Sequence, residues 1–392
     1  MNSTPTIERR RVGAPLGASR APRRVAWLAA PRLALSWAAG LSVLAGAAAV
    51  VFAAAPAAAA EATTEAPTAA AAPRLCTAYS GVPAGFAPAR DGVPNRAGMI
   101  RIPAARFQMG SNEGYPEERN VRTVRLDGFL IDRHEVTNAE FARFVAATGY
   151  VTDAERARDP AQFPGIPKDQ LVPGSVVFVW PKGTEQFDDA YRWWKFQPGA
   201  NWRHPFGPGS SIAGKDNHPV VQVTYDDAKA YAKWLGRDLP TEAEYEYAAR
   251  GGLDGDTYPW GNTPTVQGRY MANTWQGDFP AKNLVRDGYK GTAPVGCFPA
   301  NGYGMFDPVG NVWQWTKDAY QDRHPKDEAE NPLVVTVSQP VDTLERPARV
   351  IKGGSFLCAP NFCVRYRPSS RQPQDPTLGT VHIGFRTVLR AP

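Results

Sequence analysis

The sequence predicts an α+β fold that is rich in loops and poor in long regular elements. Its 392 residues include 36 Gly and 37 Pro, too many breakers for a helical bundle. Short strand-like and helix-like stretches share the text up to Pro259, and beyond it regular periodicity fades. A hydrophobic content of 43% with 11% aromatics excludes a disordered chain.

The first 75 residues stand apart. Arg9, Arg10, Arg11, Arg20, Arg23, Arg24 and Arg32 face Glu8 alone within residues 1–32, which accounts for the whole net charge of +6. Leu33–Ala60 carries no charge and ends in small residues, the pattern of a secretory signal cleaved near Ala58–Ala60. An uncleaved membrane anchor is the alternative, because the apolar stretch is long enough to span a bilayer. Arg23-Arg24 also permits a twin-arginine signal. Either reading exports the body, to the periplasm or beyond, with the positive segment left inside. Residues 61–75, rich in Ala, Thr and Pro, read as a flexible linker. A domain over 76–392 remains, and it is electrically neutral. A neutral body has no electrostatic footprint for nucleic acid.

The elements of the body follow in order. Met99–Phe107 alternates apolar and other residues as a strand does, and Val124–Ile131 reads as its partner. Thr137 caps a helix that ends at Gly149, with Phe141, Phe144 and Val145 on one face. A second helix follows Thr224 and stops at Gly236. A third opens at the capping box Thr241–Glu244. Trp234, Tyr245 and Tyr247 read as core. Glu328–Pro347 reads as a polar surface excursion around the β-prone LVVTV.

Four cysteines carry the chemistry: Cys76, Cys297, Cys358 and Cys363. An exported protein is expected to pair them as disulfides, and three pairings exist. Cys358 and Cys363 are close enough either to form a local bridge or to clamp a soft ion such as Cu(I). Whether Cys76 and Cys297 bridge stays open. The five histidines have no zinc or iron spacing, and there is neither a P-loop nor a G-x-S-x-G elbow. Asn273, Asp287, Asp307 and Gln314 lie in loop text rich in carbonyls. There they serve either as solvated turn residues or as hard oxygen ligands of the kind Ca²⁺ takes.

The text resembles the formylglycine-generating enzymes, or sulfatase-modifying factors. The resemblance runs from MIRIPAARFQMGS through DRHEVTNAEFARFV, ANWRHPFGP, RDLPTEAEYEYAARGG, GTAPVGCFPANGYGMFDPVGNVWQW and GGSFLCAPNFCVRYRPSSR to GFRTV. Several of these pieces also resemble sulfoxide synthases and non-catalytic relatives; the cysteine pair is the discriminating one. The resemblance implies a C-type-lectin-like fold and the oxidation by O₂ of a cysteine in a Cys-x-Pro-x-Arg segment of a sulfatase client to Cα-formylglycine. It implies Cu(I) on Cys358 and Cys363, with Ser355 beside them, and Trp313 and Arg371 lining the substrate groove. Asn273 and Asp287 with the carbonyls of Thr274 and Tyr289 resemble one calcium site. Asp307 and Gln314 with the carbonyls of Gly310 and Val312 resemble a second, expected to be weaker because Gln314 stands where relatives have Glu. His382 stands at the groove in place of a familiar Asn. A monomer is expected. The rival from another class is a calcium-binding lectin-like module that binds or scaffolds without catalysis and needs neither thiol free.

Overall fold

Pro103 and Gly128 break the expected pair of strands into two shorter pairs. In the computed structural model β1 is Met99–Ile102, β2 Ala105–Met109, β3 Arg122–Leu126 and β4 Phe129–Asp132. β1 pairs antiparallel with β4, and β2 with β3. Proline has no N–H to give a ladder. A Cβ on Gly128 would stand 3.2 Å from the Ile102 carbonyl oxygen, so a side chain there would crowd the break. The structure describes residues 75–162, 167, 171–181, 192–335 and 346–390. The expected leader, the linker up to residue 74, and residues 336–345 of the polar excursion lie outside them.

The three helices form where the sequence places them. They are α1 (Asn138–Thr148), α2 (Tyr225–Trp234) and α3 (Glu242–Arg250). Each starts from a threonine, Thr137, Thr224 or Thr241, whose hydroxyl accepts the backbone N–H three residues on. The acid at that third position, Glu140, Asp227 or Glu244, reaches back to the threonine N–H. The reciprocal pair satisfies two donors that a helix start otherwise leaves bare. Gly149 and Gly251 end α1 and α3 in the left-handed conformation. Phe141, Phe144, Tyr231 and Tyr245 bury their rings, whereas Trp234 is only partly buried.

Beyond the helices the sequence reading missed most of the sheet. β5 (Gly174–Phe178) pairs with β6 (Trp194–Pro198), and β7 (Thr265–Val266) with β8 (Arg269–Tyr270). Then come β9 (Trp313–Ala319), β10 (Ala329–Glu330), β11 (Arg349–Lys352), β12 (Arg371–Gln374), β13 (Ile383–Gly384) and β14 (Val388–Arg390). Four of these form one sheet in the order β12–β11–β9–β13. β10 joins β3 and β14 joins β4. β9 is buried on both faces, with only Lys317 partly exposed. A strand covered on both sides has no polar alternation to read. Its Trp313 and Trp315 belong to a core shared with α1, α2, Ile351, Cys358 and Cys363.

Cys76 and Cys297 form a disulfide across 221 positions of sequence, while Cys358 and Cys363 are free and buried. The bridge ties the start of the body to the loop before Asp307.

Candidate active site

The cysteine pair sits in the loop between β11 and β12. The ends of that loop are pinned together, since Lys352 and Arg371 are partners in the ladder. Gly353 and Gly354 start the loop at φ 93° and 73°. A Cβ at Gly353 would come within 2.6 Å of the Tyr245 hydroxyl, and one at Gly354 within 2.8 Å of the Arg365 carbonyl oxygen. The double glycine therefore lets the backbone pass between α3 and the far arm of its own loop. It is a steric necessity, not a phosphate cradle.

Ser355 follows, fully buried. Its N–H points to Cys358 Sγ at 3.4 Å, its carbonyl accepts from the Cys358 N–H at 2.9 Å, and its hydroxyl accepts from the Leu357 N–H at 3.2 Å. Ser355 is thus held beside the pair. The Trp275 N–H donates to the Cys358 carbonyl at 2.9 Å, and the Cys363 N–H to the Ala359 carbonyl at 2.9 Å. These bonds turn the loop so that Cys358 Sγ and Cys363 Sγ lie 3.0 Å apart.

The two sulfurs differ in proton affinity. Burial pushes the Cys358 thiol well above the ordinary range, reinforced by its hydrogen bond to Cys363. Cys363 accepts that hydrogen bond and lies beside the Arg365 guanidinium. Together these outweigh burial and bring it down to about 7. Above about pH 7 the pair therefore keeps one proton, with Cys358 the more basic sulfur. The expected result is that the reduced protein takes one equivalent of iodoacetamide near pH 7.5, on Cys363, with a rate that rises through about pH 7. Peptide mapping after a short pulse checks it; equal labelling of both cysteines would contradict the asymmetry.

A remote loop grips the segment after the pair. The Tyr115 hydroxyl accepts from the Val364 N–H at 3.1 Å. Glu117 pairs with Arg365 at 2.6 Å, and Glu118 binds Arg367, Ser369 and Ser370. Tyr115 and Val364 also line a cavity of about 690 Å³. On another side Phe362, which is 49% exposed, stacks on Phe279 at 4.5 Å and meets Trp193 edge-on at 5.3 Å. An exposed aromatic beside buried thiols is a natural platform for a peptide side chain.

The expected groove residues have different surroundings. Trp313 is buried in β9, its N–H donating to the His382 carbonyl at 2.9 Å. Arg371 is buried with its guanidinium engaged: Nε and Nη2 meet both Glu242 oxygens, at 2.6 and 2.9 Å, and Nη1 meets the Gln321 and Glu117 carbonyls. His382 bonds Thr380 at 2.6 Å and packs on Trp194 at 4.8 Å, next to the aromatic platform. Burial lowers its pKa to about 3, so the ring is neutral.

Two oxygen-rich loops lie where calcium is expected. In the first, the Thr274 and Tyr289 N–H groups hold the Asp287 carboxylate, at 2.9 and 3.0 Å, and Asn273 Oδ1 is buried without a partner. In the second, Asp307 Oδ2 accepts from the Gly296 N–H at 2.7 Å while Oδ1 is buried and unpartnered. Gln314 Oε1 accepts from Arg386 Nε at 2.5 Å, which leaves that oxygen one further lone pair. Glu135, which sequence reasoning missed, is fully buried with both oxygens unpartnered. Burial and the neighbouring Asp307 push its carboxyl well up. Unsatisfied buried oxygens of this kind fit a hard cation. No local pattern marks Glu135, which precedes α1 and meets Asp307 only in the fold. Among the described residues no group of three or more His, Cys, Asp or Glu side chains is placed to hold a metal. Carbonyls and amides would have to complete these cradles.

Comparison with known proteins places the chain in a family. The family described as "Sulfatase-modifying factor enzyme 1-like domain" matches residues 87–391. A protein of Mycobacterium tuberculosis named formylglycine-generating enzyme is 49% identical over 74% of this chain and 97% of its own length. A Bos taurus protein named inactive C-alpha-formylglycine-generating enzyme 2 is 36% identical over 74% of this chain and 86% of its own. The structure of PvdO from Pseudomonas aeruginosa, 24% identical, covers 78% of this chain and 98% of its own with a TM-score of 0.51, a likeness of fold. The loop-rich α+β architecture implied by the sequence is therefore the one observed, and the chain belongs to the sulfatase-modifying factor, or formylglycine-generating enzyme, family.

Proposed function

We propose that this protein oxidises a cysteine of a sulfatase-type client, within a Cys-x-Pro-x-Arg segment, to Cα-formylglycine. The observation that carries the reading is the pair Cys358 and Cys363: unbridged, buried, 3.0 Å apart, and next to an exposed aromatic platform. Two soft sulfur donors without a carboxylate or imidazole between them suit Cu(I), which supplies the electron chemistry with O₂ when bound. The protein's own part is to hold the thiolates, orient the client cysteine and exclude water. The stoichiometry is one client thiol, one O₂, two electrons and two protons giving one aldehyde, one H₂S and one water. A thiol reductant supplies the electrons.

The arginine-led leader and the Cys76–Cys297 bridge support an exported, oxidising location. The rival binding module would need neither thiol free. Incubating the copper-loaded protein with a Cys-x-Pro-x-Arg peptide, followed by mass spectrometry, tests the proposal. Absence of aldehyde, with copper bound and reductant present, would leave the binding module ahead.

Calcium in the two cradles would neutralise Asp287 in one and Asp307 with Glu135 in the other. Binding to the folded state alone raises stability by mass action, about 2.7 kcal/mol at a hundredfold excess over Kd. EDTA is therefore expected to lower the melting temperature by several degrees, calcium to restore it, and Asp287→Asn to blunt the response. An unchanged melting curve, with no calcium in the purified protein, would remove both cradles from the account.

A further inference from the structure

Both cation cradles hang on one short segment, 287–297, whose far end is the Cys76–Cys297 bridge. At its start Asp287 takes the Thr274 and Tyr289 N–H groups. In its middle the Gly291 carbonyl accepts from Asn273 Nδ2 at 2.8 Å and so fixes the amide whose Oδ1 is unpartnered. Near its end the Gly296 N–H holds Asp307 Oδ2 at 2.7 Å, and the other oxygen of that carboxylate is unpartnered. Cys297 comes next. The Tyr289 hydroxyl donates to Cys297 Sγ at 3.2 Å and lies 3.9 Å from Cys76 Sγ. Tyr289 therefore serves the first cradle through its backbone and touches the bridge through its side chain. Across the bridge, the Cys76 N–H donates to the Val295 carbonyl at 3.1 Å, and Asn217 Nδ2 to the Cys76 carbonyl at 2.8 Å. Gly296, at φ 72°, makes room for this arm: a Cβ there would stand 2.8 Å from Leu75 Cβ.

We propose that the Cys76–Cys297 bridge is a positioning element for the two cation cradles. It acts through Tyr289 and Gly296, so that the bridged protein binds Ca²⁺ more tightly than the open one. This deepens the calcium reading given above and rests on it. Opening the bridge unties Cys297 from the first residues of the body, and an untied end loosens before the rest. The cation must then order Gly296 and Tyr289 itself, and that ordering cost is subtracted from binding. The coupling is reciprocal: whatever the bridge adds to cation affinity, the cation adds to the bridge's resistance to reduction. A bridge that only cross-linked the chain would raise the melting temperature and leave the cation affinity of the folded protein unchanged.

The test uses the whole, copper-free protein, bridged and open. Dithiothreitol opens the bridge: the protein S–S bond becomes two thiols as the two thiols of the reagent close into a cyclic disulfide. Alkylation and peptide mapping separate Cys76–Cys297 from Cys358 and Cys363, and circular dichroism follows the fold. Cys76→Ser with Cys297→Ser gives the open state without reductant. Competition for Ca²⁺ with a chromophoric chelator is expected to read roughly tenfold weaker binding in the open form, the lower end for losing a support around a metal. Saturating Ca²⁺ should make the bridge roughly tenfold harder to reduce, about 30 mV for two electrons. Tyr289→Phe keeps the bridge and the backbone carbonyl but loses the hydroxyl on Cys297. In its bridged form it should bind Ca²⁺ several-fold more weakly than bridged wild type. Equal affinities of the bridged and open forms would overturn the proposal and leave the calcium reading standing. No Ca²⁺ binding by the bridged protein would remove both. If the open form unfolds, bridged Tyr289→Phe decides: an affinity equal to wild type overturns the proposal.

Discussion

Cys358→Ser and Cys363→Ser are each expected to lower peptide oxidation by more than about 100-fold, beyond the usual cost of losing a supporting partner around a metal. Each removes one of two sulfur donors, and a hydroxyl is a poor ligand for Cu(I). The fold should survive. Cys358 accepts only a weak 3.4 Å contact from the Ser355 N–H, and the backbone bonds that shape its loop do not involve the sulfur. Circular dichroism and melting curves alongside the peptide assay separate a lost site from a lost fold. Near-full turnover by either copper-treated variant would show the assignment to be wrong.

The second large effect concerns stability. Arg371→Leu is expected to cost about 3–5 kcal/mol, the range for breaking a buried ion pair from one side. Arg371 meets both oxygens of Glu242, and both residues are nearly inaccessible to water. Burial alone would raise the Glu242 carboxyl; Arg371, His324 and Lys352 instead hold it well below the usual range. Removing Arg371 strands a charge that Lys352, 3.7 Å away and already on Glu246, only partly offsets. Adding Glu242→Gln to Arg371→Leu should recover part of the loss. Urea denaturation measures it. A residue whose role is to line the substrate groove would instead raise KM and leave the denaturation midpoint in place.

The helices were legible because their signals are local. Thr137, Thr224 and Thr241 each announce a start within three residues, and Gly149 and Gly251 announce ends. β9 was not legible, since burial on both faces leaves Trp313–Ala319 without alternation. The cysteine pair could be read because five positions separate its members. Its supports could not: Tyr115, Glu117 and Glu118 act on residues about 250 positions away. Glu135 has the same excuse, because its isolation from partners exists only once Asp307 is folded against it.

That long-range grip has a kinetic side. Tyr115 to Val364, Asp132 to Thr387 and Cys76 to Cys297 are all closures across more than 200 positions. Chain entropy must be lost before such contacts return any free energy, so a topology of this kind is slow to form. The local helices can form early, but the pocket around the two thiols cannot exist until the far ends of the body have met. During that interval all four sulfurs are reachable, and bridges between the wrong partners compete with the correct one. Assembly therefore leaves the reactive pair unguarded until the loop at 115–118 has reached Val364 and Arg365.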